Sequence, residues 1–195
     1  MIRTNNLILN KLIDIMKKII EKEINMEKQE IINNKENKEY IMQAVKENGK
    51  FLEFASSKLQ DDEEIVEEAL KQDGEALEFV SKRLKNKKEV IMSGIKSAPW
   101  TICYASDKLR ADRDLILTSC KEYGQALYYA SEELRDDREV VKTAVENKGI
   151  IIKYASARLQ NDKELAEIAV KQNKQAYHFI SEELKQDEDI KNIMG

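Results

Sequence analysis

The sequence predicts an all-α protein: a right-handed-type α-solenoid of six 25-residue helix–turn–helix repeats behind an N-terminal capping helix. Three observations lead there. The motif Ser-x-x-Leu recurs at Ser56/Leu59, Ser81/Leu84, Ser106/Leu109, Ser131/Leu134, Ser156/Leu159 and Ser181/Leu184, always 25 residues apart. Within each copy the apolar residues fall at helical spacing. One proline and six glycines in 195 residues are too few for the turns of a strand-rich fold.

Further columns keep the same register. An aromatic stands two residues before each serine, at Phe54, Phe79, Tyr104, Tyr129, Tyr154 and Phe179. Two residues earlier come Leu52, Leu77, Ile102, Leu127, Ile152 and Tyr177. Upstream runs a small-then-apolar pair: Ala44-Val45, Ala69-Leu70, Gly94-Ile95, Ser119-Cys120, Ala144-Val145 and Ala169-Val170. The copies occupy about 37–61, 62–86, 87–111, 112–136, 137–161 and 162–190, with the array taken as 37–195.

The fourth copy shows the expected unit. Asp112 is placed to cap a first helix, with Asp114 in the positive end of its dipole. Leu115, Ile116, Ser119, Cys120 and Tyr123 form its stripe, and Gly124 is read as a left-handed residue that ends it. A second α-helix is expected from about Gln125 to Arg135, with Leu127, Ala130, Ser131 and Leu134 on one face. Asp136-Asp137 then caps the next copy. Helices of roughly nine to twelve residues are marginal alone in water, so each copy must bury its stripe against the next.

Residues 1–36 read differently. Leu9, Leu12, Ile13, Met16 and Ile20 make a helical stripe, giving a cap helix over 5–24 and a polar connection or helix extension over about 25–36. Lys11, Asp14, Lys17 and Lys18 break the apolar run too often for a secretory segment or a membrane span. A cytoplasmic protein is the expectation, with surface attachment to membrane through that helix as a side possibility. The formal net charge of −4 gives no overall basic footprint for nucleic acid. Cys103 and Cys120 lack metal-type spacing and suggest a reducing compartment.

The run Ala44-Val45-Lys46-Glu47-Asn48-Gly49, followed by Phe54-Ala55-Ser56 and Leu59, resembles the bacterial helical repeat family named domain of unknown function 4116. Gly124-Gln125-Ala126-Leu127-Tyr128-Tyr129-Ala130-Ser131 with Leu134 is similar in the same way. The resemblance covers about residues 37–190 and implies a repeat scaffold with no established activity to carry over. Copy three, with Pro99 in the glycine column, and copy six, with Lys174 there, depart from the pattern.

As chemistry, the columns offer little. The serines lack a base, since His178 is the one histidine and sits in an outward, variable column. Their expected role is structural, each hydroxyl bonding the carbonyl four residues back. The aromatic column is expected to be a packing ridge. Lys46, Lys71, Lys96, Lys121 and Lys171, interrupted by Glu146, are candidate phosphate contacts. The same lysines, the basic residues at the second-helix ends and the acids at first-helix starts also follow the dipole rule, which is the reading favoured here. No Asp-x-Asp-x-Asp-Gly loop supports calcium, and no metal or cofactor is inferred.

The repeat breaks in copy three. Pro99 cannot supply a positive φ, so the turn there is expected to be rebuilt with Pro99 at N1 of the second helix. Trp100, the only tryptophan, stands in a column otherwise holding Lys50, Glu75, Gln125, Ile150 and Gln175. Trp100, Cys103, Tyr104, Tyr128, Tyr129 and Ile150 are the candidate partner-binding residues. Two readings stand: an exposed aromatic patch, or Trp100 folded down into space left by Gly94.

The functional expectation is therefore a non-enzymatic scaffold holding an unidentified protein partner, with no small-molecule substrate inferred. The alternative is a role with nucleic acid or a nucleoprotein complex, including an anti-CRISPR-like inhibitor of a bacterial or phage defence nuclease, through the Lys/Arg columns.

Overall fold

A computed structural model describes Met16, Lys17 and residues 27–195. The expected helix over 5–24 lies outside the described residues, apart from Met16 and Lys17, which are helical and exposed. Residues 27–33 are helical, with Ile31 buried and a turn following over 34–36. Among the described residues every regular element is helical. No helix there is long and apolar enough to cross a membrane.

Six ten-residue helices set the period: α1 (Lys38–Glu47), α2 (Glu63–Gln72), α3 (Lys88–Ser97), α4 (Arg113–Glu122), α5 (Arg138–Asn147) and α6 (Lys163–Gln172). A shorter α7 (Glu188–Met194) repeats the same start after copy six. Each caps as an oxygen-bearing N-cap predicts. Asp112 accepts from the amides of Asp114 and Leu115, and Asp137 from those of Glu139 and Val140. The exception is α3, where Lys87 fills the cap position and offers no side-chain bond. Each helix buries one stripe, as in Val140, Val141, Ala144 and Val145.

The second half of each copy corrects the expectation. It is not one α-helix but two pieces. A six-residue 3-10 segment comes first: Gly49–Phe54, Gly74–Phe79, Pro99–Tyr104, Gly124–Tyr129, Gly149–Tyr154 and Lys174–Phe179. Two extended residues follow (Ala130 has φ −66° and ψ 153°, Ser131 φ −61° and ψ 164°), and then a short turn of helix such as Glu132–Arg135. The serine explains the break. Its amide leaves its own segment and donates to the preceding copy, Ser81 to Gln60 O at 3.0 Å and Ser156 to Arg135 O at 2.9 Å. Its hydroxyl caps the short helix, accepting from Leu159 N in copy five, and donates back to the preceding copy in the pairs Ser81–Asp61 and Ser156–Asp136. In copies two, four, five and six the serines are caps and inter-copy ties, not partners of the carbonyl four residues back. In copy three the buried Ser106 hydroxyl has no hydrogen-bond partner among the described residues.

The glycine column is also corrected. No described residue except Gly195 has positive φ, so Gly124 does not end α4 in a left-handed turn. Glycine is needed there because backbones meet. A Cβ on Gly124 would lie 2.6 Å from Ala144 O of the next copy, and on Gly49 or Gly149 it would overlap Ala69 O or Ala169 O. Because the column does not call for a positive φ, the turn at Pro99 is not rebuilt. Pro99 stands at N1 of a 3-10 segment as long as the others, after Ala98 with a negative φ. Ala98 keeps clear of the helical region, as a residue before proline does. Pro99 forgoes only the amide that Gly74, Gly124 and Gly149 donate to Ser97, Asn147 and Gln172 of the next copy.

Ion pairs run between copies along the starts of the long helices. Lys38 reaches Asp62 and Glu64 at 2.9 Å each, and Lys88 reaches Asp112 at 2.8 Å and Asp114 at 3.1 Å. Arg113 meets Asp137 and Glu139, Arg138 meets Asp162 and Glu164, and Lys163 meets Asp187 and Asp189. Cations at a helix start oppose the macrodipole, so the dipole rule does not explain this column; pairing with the next copy does. In copy two the signs are exchanged, with Glu63 in the cationic column bonding Lys87 in the cap column at 2.6 Å.

Two measurements test this packing. Gly124→Ala is expected to lower stability by about 2 kcal/mol, because neither backbone can give way cheaply. An unchanged urea midpoint would contradict the close approach. The bond to Lys38 holds the Asp62 carboxyl below the usual carboxylate range, and Arg113 and Lys163 do the same to Asp137 and Asp187. Groups with a depressed folded-state pKa lend stability that is present above the ordinary carboxylate range, about pH 4, and is lost as pH falls through the folded value. The urea midpoint is therefore expected to hold steady down to about pH 5 and fall below it, and a midpoint that does not fall by about pH 2.5 would contradict the pairing.

Candidate partner-binding surface

A 3-10 segment has three residues per turn, so positions i and i+3 eclipse. In Gly49–Phe54 the first and fourth residues are buried, the second and fifth exposed, and the third and sixth half-buried. The buried line carries Leu52, Leu77, Ile102, Leu127 and Ile152, each fully covered. The outer line carries the variable residues Lys50/Glu53, Glu75/Glu78, Trp100/Cys103, Gln125/Tyr128, Ile150/Lys153 and Gln175/His178, all exposed except the half-buried Glu75, Cys103, Gln125 and Ile150. The aromatic column lies between, half-buried against the core from Phe54 to Tyr154 and opening at Phe179.

Trp100 is 44% exposed and Tyr128 55% exposed. Trp100 does not fill the space beside Gly94; a Cβ there would overlap Leu77, which already occupies it. Trp100, Cys103 and Tyr104 line a cleft of about 350 Å³ with Phe79, Glu75 and Glu78 of the preceding copy. Tyr128 and Tyr129 belong to a second cleft of about 330 Å³, with Asp107, Arg110, Glu132 and Arg135. The candidate residues thus divide between two adjacent clefts. Ile150 is half-buried against the core and lines neither.

Tyr128 extends the surface into copy five. Its ring centroid lies 5.0 Å from that of Tyr129 and 5.0 Å from that of Tyr154. Lysines cover some rings: Lys85 Nζ lies 5.0 Å from the Tyr104 centroid and Lys153 Nζ 4.8 Å from that of Tyr154. Burial pushes the Tyr104 phenol up to about 12, with Glu78 adding to it, and raises the Tyr129 phenol as well. Burial also raises both thiols, Cys120 to about 12. These groups stay neutral near neutral pH. The surface is a row of uncharged rings with both carboxylates and cations at its edges. Tyr154, Arg110 and Arg135 are not among the partner-binding residues the sequence suggests: Tyr154 belongs to the aromatic column, and the two arginines read there as cations at second-helix ends.

The candidate phosphate contacts Lys46, Lys71, Lys96, Lys121 and Lys171 are all exposed, in the last turns of α1 to α4 and α6. Lys71 pairs with Glu67 at 3.0 Å and Lys171 with Glu167 at 3.0 Å. With Glu146 in the same row, the column is a mixed surface. His178 is exposed. Among the described residues no group of three His, Cys, Asp or Glu side chains is placed to hold a metal.

The protein family described as Domain of unknown function (DUF4116) matches three times in tandem, over residues 37–85, 87–135 and 137–190. The chain belongs to the DUF4116 family. Each match takes in two 25-residue periods, so the family's unit is a pair of copies. No curated protein and no solved structure matches the chain. Family membership supplies the repeat scaffold and no activity.

Exposure at this surface is directly measurable. Trp100 emission is expected to be red-shifted and readily quenched by acrylamide; blue-shifted, protected emission would contradict the placement. A thiol reagent at mildly alkaline pH is expected to label half-buried Cys103 first and fully buried Cys120 only on unfolding, and equal rates would contradict it.

Proposed function

We propose that this chain is a non-enzymatic helical repeat scaffold that holds a protein partner on the 3-10 face of copies three to five. The observation that carries it is the pair of large apolar side chains, Trp100 and Tyr128, left exposed beside half-buried rings in columns that are polar in most other copies. Large aromatics at clefts are the residues most often found to dominate protein interfaces. Stacked repeats supply the rigid, extended surface that such binding uses. The chemistry of the columns supports a scaffold rather than an enzyme. Serine hydroxyls in copies two, five and six are tied into inter-copy bonds, and the thiols are held protonated.

The expected result is that Trp100→Ala combined with Tyr128→Ala abolishes capture of a partner from native-cell lysate. Helicity and Tm should stay nearly unchanged, since both side chains project outward. Retained capture by the double variant removes this reading. Capture that weakens steeply with salt and survives the double variant would point instead to phosphate contacts through the lysine column.

A further inference from the structure

The residue at the end of each short helix ties back to the backbone of its own copy in three copies and not in the other three, where Lys185 of copy six turns instead to the Glu182 carboxylate. In copies one, two and five this residue turns back onto the carbonyls of its own copy. Gln60 Nε2 donates to Leu52 O at 3.1 Å, Lys85 Nζ to Glu78 O at 2.7 Å, and Gln160 Nε2 to Ala155 O at 3.0 Å. Copies three and four carry Arg110 and Arg135 in this column. Neither makes such a bond, and the Nε of each is buried with no hydrogen-bond partner among the described residues. Arg110 pairs with Asp107, whereas no carboxylate among the described residues lies within 4 Å of the Arg135 guanidinium. A buried donor without an acceptor costs stability and calls for a physical reason.

The position of the two arginines supplies one. Arg110 and Arg135 both line the cleft of about 330 Å³ beside Tyr128 and Tyr129. Arg135 and Glu132 also line a cleft of about 270 Å³ beside Tyr154, Ala155 and Ser156, so the two clefts share a wall. Past Tyr154 stands Lys153, and no acidic residue lines that second cleft except the exposed Glu132. A planar guanidinium presents a fork of donors that matches a carboxylate.

We propose that copies three to five bind an extended segment of a partner protein that carries an Asp or Glu next to an aromatic or aliphatic residue. Arg135, with Arg110 beside it, receives the carboxylate, and Tyr128, Tyr129 and Tyr154 receive the apolar side chain. This rests on the scaffold reading above and names the partner's chemistry.

The test is selection of random 12-residue peptides displayed on phage against the full chain, followed by anisotropy titration of the enriched peptides. Arg135→Gln is the informative variant, because Gln is the residue that copies one and five carry in this column and it can satisfy the local carbonyls. Enriched peptides are expected to pair an acidic with an apolar residue. They should bind Arg135→Gln about tenfold or more weakly, as loss of a charged hydrogen bond implies, and weaken likewise when their Asp or Glu becomes Asn or Gln. The Tm of Arg135→Gln is expected to equal or exceed that of the parent chain, which a purely structural arginine would not give. Enriched peptides that lack acidic residues, or that bind Arg135→Gln as well as the parent, overturn this inference. If such peptides still depend on Trp100 or Tyr128, the scaffold reading survives without it. No enrichment, or enrichment independent of Trp100, Tyr128 and Arg135 alike, overturns both.

Discussion

The array depends on how closely the start of each 3-10 segment sits against the long helix of the next copy. At that point backbone meets backbone, and Gly49, Gly74, Gly124 and Gly149 have hydrogen where any other side chain would strike the facing copy. The close approach fixes the spacing between copies. It brings the small-residue column, with Ala69, Ala144 and Ala169, against the glycines, and the amides of Ser81, Ser131, Ser156 and Ser181 within reach of the preceding copy's carbonyl. No single helix of ten residues would hold its shape in water, so order comes from the neighbours.

A period-three segment at that contact has consequences for the surface. It buries one line of apolar residues, carries a second that ends on the half-covered aromatic, and turns a third towards solvent. The third line does not determine packing, so it can vary between copies without disturbing the stack. It runs from Glu53 and Glu78 through Cys103 and Tyr128 to Lys153 and His178, a passage from acidic through neutral to basic. A binding surface can therefore be built in the middle copies while the scaffold beneath stays uniform. The arginines at 110 and 135 fit this division: they depart from the tie that Gln60 and Gln160 make, beside the same exposed rings.

The register, the copy count and the buried columns were legible in the sequence because each rests on periodic apolar side chains, which one-dimensional spacing records well. The splitting of the second helix was not. Leu127, Ala130, Ser131 and Leu134 keep helical spacing, and what interrupts them is a bond from Ser131 N to Arg110 O in the preceding copy, which no local pattern encodes. Glycine before a 3-10 segment and glycine in a left-handed turn look alike on the page, so Gly124 invited the wrong reason. The ladder from Lys38 to Lys163 was hidden because each partner lies one copy away, at a spacing of 24 or 26 residues. Trp100 and Tyr128 are visible in the sequence because they break a column, whereas Arg110 and Arg135 are indistinguishable there from cations placed at a helix end by the dipole rule.

The most direct measurement of the central claim is native-state hydrogen exchange on the full chain. If order is passed between neighbouring copies, the amides of Ser81, Ser131 and Ser156 are slow, and each exchanges together with the long helix of an adjacent copy. Protection is then greatest in the middle of the array and falls towards α7. Serine amides that exchange as fast as exposed turns, or copies that open independently of one another, would contradict it.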